Sequence, residues 1–177
     1  FKKKLYRQDL DAFHRFRDRV LKHHEFWPGQ KDMERIPDSA TRDYFCHDFA
    51  WRTGDDRKKP VDPSHPLAEG KHIDPTKVIA DPDAYGFDDF KAIGRLRAGD
   101  IVVYFNSTEG KPDHSAVVLK VNPQGVESGH DIYLMSKNVD NSLFKHRLGG
   151  EETPDYFYDN FAGKCVIFYR PLPEAQH

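Results

Sequence analysis

Apolar positions recur every three to five residues at the start of the chain, at Leu5, Leu10, Phe13, Phe16, Val20 and Leu21, with Lys, Arg and Asp between them. That spacing predicts an amphipathic helix from Phe1 to about His24, stopped by Trp27-Pro28-Gly29 and docked on the domain as a segment over 1–28. A polar connector follows. Asp38, Ser39 and Thr41 are candidate caps for a second helix from about Arg42 to Thr53, ended by Gly54-Asp55-Asp56. Residues 55–98 read as loop, because Pro60, Pro63, Pro66, Pro75 and Pro82 are spread through them, with a short helix near Phe87 to Ile93. A loop of that length inside a compact domain is usually functional, and it is expected to build one wall of a cleft.

After Gly99 the pattern changes to β-branched and aromatic runs. Strands are predicted at Asp100–Phe105, Ser115–Val121, Ile132–Met135 and Cys165–Tyr169, with Leu143–Arg147 as a further one. Gly and Pro turns between the first runs indicate an antiparallel meander. Helices first and sheet second predict one α+β domain over 1–177, with N-terminal helices packed on an antiparallel sheet of about 4–6 strands over 99–170.

Composition narrows this reading. With 177 residues and thirteen Phe beside eight Tyr, the chain can bury a core without cross-links. The 27 basic and 29 acidic residues nearly cancel, so neither nucleic acid nor an anionic membrane is expected as partner. No apolar run approaches the roughly 20 residues that a membrane span needs. The chain begins at Phe1 rather than Met, which suggests a processed or excised domain with any signal upstream of it. The two cysteines, Cys46 and Cys165, fit one disulfide or two free thiols.

Cys46 is the residue that brings in chemistry. It lies among aromatics in Tyr44-Phe45-Cys46-His47-Asp48-Phe49 at an expected helix start, where outward N–H groups favour a thiolate. A buried packing cysteine is the alternative. A thiol nucleophile needs a base and a group to orient that base. His114 opens an apolar strand directly after a turn, a rigid position for the base. Ser136 and Asn138 alternate to one face of the next strand and are the candidate orienting groups. Tyr44 and His47 flank the thiol and could supply oxyanion donors, or be core and surface respectively. His65, His72 and His130 lack metal-ligand spacing, and no metal or other cofactor is expected.

These segments, with Leu96-Arg97-Ala98-Gly99-Asp100 and His114-Ser115-Ala116-Val117-Val118, resemble the NlpC/P60 and CHAP superfamily of papain-like cysteine peptidases and amidases. The resemblance spans roughly Tyr44 to Asn138. It implies a papain-like fold, Cys46 as nucleophile, His114 as general base, and Ser136 or Asn138 as third member. It also implies an amide hydrolase acting on peptides or peptidoglycan in the bacterial periplasm or cell wall, after secretion or delivery out of the producing cell. Phe45 and His47 stand where common members carry Asp and Ser or Thr. Such departures fit a divergent branch, an antibacterial effector or toxin domain with a cognate inhibitor or immunity protein. A protein-modifying deamidase or acyltransferase, and a catalytically silent binding module, are the alternatives.

Overall fold

A computed structural model of the chain describes residues 33–106, 111–126, 129–137, 142–148 and 165–173. The helix expected over the first 24 residues lies outside them. The main element is a seven-stranded antiparallel sheet built from β1 (Met33–Arg35), β4 (Phe87–Phe90), β5 (Ile101–Asn106), β6 (Lys111–Val121), β7 (Ile132–Lys137), β8 (Leu143–Arg147) and β9 (Cys165–Pro171). Their spatial order is β1-β8-β7-β6-β5-β9-β4. The meander from β5 to β8 follows the sequence, while β9 returns to the far side of β5 and carries β4 on its other edge. A small hairpin of β2 (Ala68–Glu69) and β3 (His72–Ile73) stands apart.

The helices are α1 (Cys46–Ala50) and α2 (Thr76–Ala80), five residues each. An α+β papain-like domain with helices packed on a smaller sheet is therefore not what the described residues form. They form a wide antiparallel sheet carrying two short helices.

The reason is legible at α1. Asp48 reaches back to the Phe45 N–H at 2.7 Å, which starts the helix at Cys46. Phe45 has no side-chain acceptor to complete the cap. At the other end Arg52 donates to the carbonyls of Asp48 (2.7 Å), Lys59 (2.6 Å) and Arg57 (3.1 Å). Arg57 takes those of Phe49 (2.6 Å) and Ala50 (3.1 Å). Guanidinium donors thus satisfy carbonyls that a longer helix would have used itself.

The segment expected as helix near Phe87 is instead β4. Gly86, at φ 77°, turns the chain onto the edge of β9, where Phe87 pairs Pro171 and Phe90 pairs Phe168. Phe90 packs on Phe168 with ring centroids 5.6 Å apart, and the guanidinium groups of Arg95 and Arg170 cover it at 4.5 and 5.0 Å. Cross-strand burial overrides the helix-like spacing of the two phenylalanines.

Both faces of the sheet are buried, which explains the unbroken apolar runs of β5 and β6. Ile101, Val103 and Val117 join Tyr44, Phe49, Ala50 and Trp51 on the face that α1 covers. Val102, Tyr104, Ala116, Val118 and Leu134 point to the opposite face, against Phe90, Leu96 and Leu148. Asp100, 1% exposed, fixes the turn before β5. It accepts the Arg97 N–H at 2.9 Å and both Nε and Nη2 of Arg170 at 2.7 and 2.6 Å.

Candidate functional site

The segments that carried the sequence argument do meet. α1 packs on β6, and Cys46, a free and half-buried thiol at the first helical position, is acted on by the main-chain N–H groups of His47 and Ser115, which favour its thiolate. Ser115 follows His114 directly, so the nucleophile candidate lies one residue from the histidine expected to serve it.

Alternation along β6 nevertheless sends the two neighbours to opposite faces. Ser115 pairs Val103 across the β5–β6 ladder and faces α1. His114 pairs Tyr104, and its ring stands 5.6 Å from that tyrosine ring on the other face. The imidazole of His114 is 4% exposed. Burial, with lesser contributions from nearby His146 and His47, holds its pKa well below the usual histidine range, so it is neutral at pH 7. Among the described residues the sheet thus separates the expected dyad.

What stands beside the thiol is a different constellation. His47 Nδ1 lies 2.7 Å from Ser115 Oγ, and Trp51 Nε1–H donates to the same oxygen at 3.1 Å. The Pro112 carbonyl also accepts from the His47 ring. In the tautomer protonated at Nε2, Nδ1 is the lone-pair nitrogen that receives the Ser115 hydroxyl proton. Burial lowers the His47 pKa, an effect opposed by the Pro112 bond and by Asp48 and Asp74. A neutral imidazole held by a serine hydroxyl is a proton acceptor in waiting.

The thiol itself is pushed up from 9.0 to about 11, first by burial and further by Asp48, against the lowering effect of the N–H groups of Ser115, His47 and Cys46. At neutral pH it is protonated. The short α1 supplies too little field to offset desolvation.

The remaining expected site residues divide. Tyr44 is core, 3% exposed, beneath the Lys137 ammonium at 5.0 Å and beside Phe49; burial, then Asp43, raises its pKa. Ser136 is fully buried on the far face, where its hydroxyl donates to His146 Nε2 at 2.8 Å. His146 Nδ1–H donates to the Arg147 carbonyl at 2.9 Å, which fixes that tautomer. Asn138 lies outside the described residues. His65 and His72 are not assembled as ligands, and no group of three metal-binding side chains occurs among the described residues.

Residues that sequence reading passed over hold the site in place. Asp48, with 0% exposure, accepts the Ile73 N–H and His72 Nδ1, each at 2.6 Å, and so ties α1 to β3. The His72 ring stacks on Phe45 at 4.2 Å. An acidic residue in the first turn of a helix is a legible capping signal; its second attachment, to β3, has no local signature. Comparison of the chain with family models, with curated proteins and with solved structures found no match.

Proposed function

We propose that the chain is a cysteine-dependent amide hydrolase in which Cys46 is the nucleophile and the Ser115–His47 pair receives its proton. The observation that supports this most is the junction of α1 with β6, where the Cys46 sulfur faces the N–H groups of His47 and Ser115 and the Ser115 hydroxyl bonds His47 Nδ1. In the reaction, sulfur bonds to the amide carbonyl carbon as the thiol proton passes to Ser115 Oγ and the Ser115 proton passes to Nδ1. The N–H groups of the junction stabilise the developing negative charge. The carbon–nitrogen bond then breaks, the imidazolium returns its proton to the leaving amine, and water hydrolyses the thioester. The substrate class is the peptide amides of bacterial cell walls, which the resemblance of the Cys46, Gly99-Asp100 and His114 segments implies, with the cell wall as the place of action.

A specific observation favours a second reading. A thiol at about 11, with the His114 ring on the opposite sheet face, suits a catalytically silent binding module.

Purified muropeptides incubated with the protein and read by mass spectrometry separate these. Cleavage by the wild type, absent in Cys46→Ala and strongly reduced in His47→Gln, supports the proposal. Cleavage that survives Cys46→Ala removes it, and no cleavage of any muropeptide favours the silent module. Loss in His114→Gln with activity kept in His47→Gln reassigns the base to His114.

A further inference from the structure

The carboxylate that closes the start of α1 also holds a histidine that the proton path through Ser115 and His47 does not use. His72 on β3, which packs on α1, brings Nδ1 to 2.6 Å from Asp48 Oδ2. The same oxygen takes the Phe45 N–H at 2.7 Å. The His72 ring lies nearly parallel to the Phe45 ring, 4.2 Å between centroids and 11° between planes. Two contacts therefore seat this imidazole at the helix start, where Phe45 directly precedes Cys46. We propose that His72, held by Asp48, is the base that activates water to hydrolyse the thioester formed on Cys46. The inference deepens the reading of Cys46 as nucleophile and rests on it.

The tautomer follows from the partner. A carboxylate only accepts, so the ring donates from Nδ1–H and, when neutral, keeps its lone pair on Nε2. His72 makes no other hydrogen bond among the described residues, and 37% of its side chain is exposed, against 0% for Asp48. A fixed ring with an open lone pair is what a water-activating base requires. Neither His47, His65 nor His114 offers one. The His47 ring is engaged by Ser115 Oγ and the Pro112 carbonyl. His65 Nδ1 already receives the Leu67 N–H at 3.1 Å. His114 is 4% exposed, on the other face of the sheet.

In this step the water oxygen bonds to the thioester carbonyl carbon as one water proton passes to His72 Nε2. The carbon–sulfur bond then breaks with its electron pair on sulfur, the imidazolium gives its proton to the thiolate, and the carboxylic acid departs. Asp48 stabilises the imidazolium while it lasts.

The small ester p-nitrophenyl acetate tests the step without a cell-wall substrate. Nitrophenolate release is followed by absorbance and acetyl-Cys46 by peptide mass spectrometry. His72→Asn places an amide N–H where Nδ1–H bonded Asp48 but has no basic nitrogen. It should acetylate as the wild type does and lose about a hundredfold in deacetylation, so that acetyl-Cys46 accumulates. Folding is checked by circular dichroism, and His72→Gln is the second variant should His72→Asn not fold. Deacetylation at the wild-type rate in a folded variant overturns the proposal and leaves Cys46 as nucleophile. So does a variant slowed in acetylation alone. Absence of acetyl-Cys46 from both proteins removes the nucleophile, and this role of His72 with it.

Discussion

The hydroxyl of Ser115 lies 2.7 Å from Nδ1 of His47 and also takes the indole N–H of Trp51, so one strand residue holds a side chain of α1 and the one just past its end. Ser115→Ala would leave a buried indole N–H and an imidazole nitrogen without this partner. We expect a loss of about 1–3 kcal/mol in urea unfolding, together with a fall in any Cys46-dependent hydrolysis. Ser115→Thr retains the hydroxyl and should recover part of both.

The thiol gives a direct spectroscopic prediction. Thiolate absorbance near 240 nm, absent in Cys46→Ala, should rise with a midpoint at about 11. Alkylation of Cys46 by iodoacetamide should accordingly be slow at neutral pH and accelerate as pH increases. A midpoint below 9.0 would contradict the burial argument. Because the folded value exceeds the unfolded one, the associated stability is complete below 9.0 and is lost as pH rises through about 11.

Acid should act through the buried and half-buried histidines. His47, His65 and His114 all have lowered pKa values, with burial the leading cause in each. The unfolded chain takes up these protons below the ordinary value of about 6.5 while the folded chain resists them. Stability is therefore complete at neutral pH and should decline as pH falls below that point. His114→Asn should flatten this decline in chemical unfolding series between neutral and mildly acidic pH, even if it lowers the plateau.

Removal of the Asp48 carboxylate tests the clamp between α1 and β3. Asp48→Ala strips the Phe45 and Ile73 N–H groups and the His72 ring of a shared acceptor. The expected cost is about 2–4 kcal/mol, set by the buried N–H groups more than by the half-exposed imidazole. Amide exchange at Ile73 should accelerate with it.

Arg170→Ala should be costly for a related reason. It leaves the Asp100 carboxylate buried with the Arg97 N–H in place of a two-pronged guanidinium contact. A loss of about 3 kcal/mol is expected by thermal or chemical unfolding. Asp100→Asn should cost less, because it removes the buried charge along with the pairing.

The sheet was legible wherever strands read as apolar runs. Leu143–Arg147 forms β8 with the bounds the alternation predicts. β6 starts earlier than its apolar run, at Lys111, because Pro112 fits the ladder opposite Phe105 at an irregular point where its missing N–H is tolerated. β4 departs from the helical expectation because two phenylalanines three apart fit a helical turn as well as they fit an edge strand. At the site, the meeting of the Cys46 and His114 segments could be read from the sequence. Which of two adjacent residues turns toward the thiol could not, since period-two alternation specifies a pattern but not its origin. Asp48 and Trp51 act through partners 25 and 64 positions away, distances at which no local signal exists.

The register shift between Tyr104 and Phe105 has a consequence for that choice. Phe105 faces Pro112 and Tyr104 faces His114, so Asp113 is the supernumerary residue of β6. Such a residue is a phase defect: the strand points one way before it and the other way after it. Were the defect to slide two places, so that Ser115 became the extra residue, Ala116 and all that follows would keep their orientation while His114 rotated onto the α1 side. Which face of the sheet His114 turns to is thereby set by where β6 holds its one surplus residue.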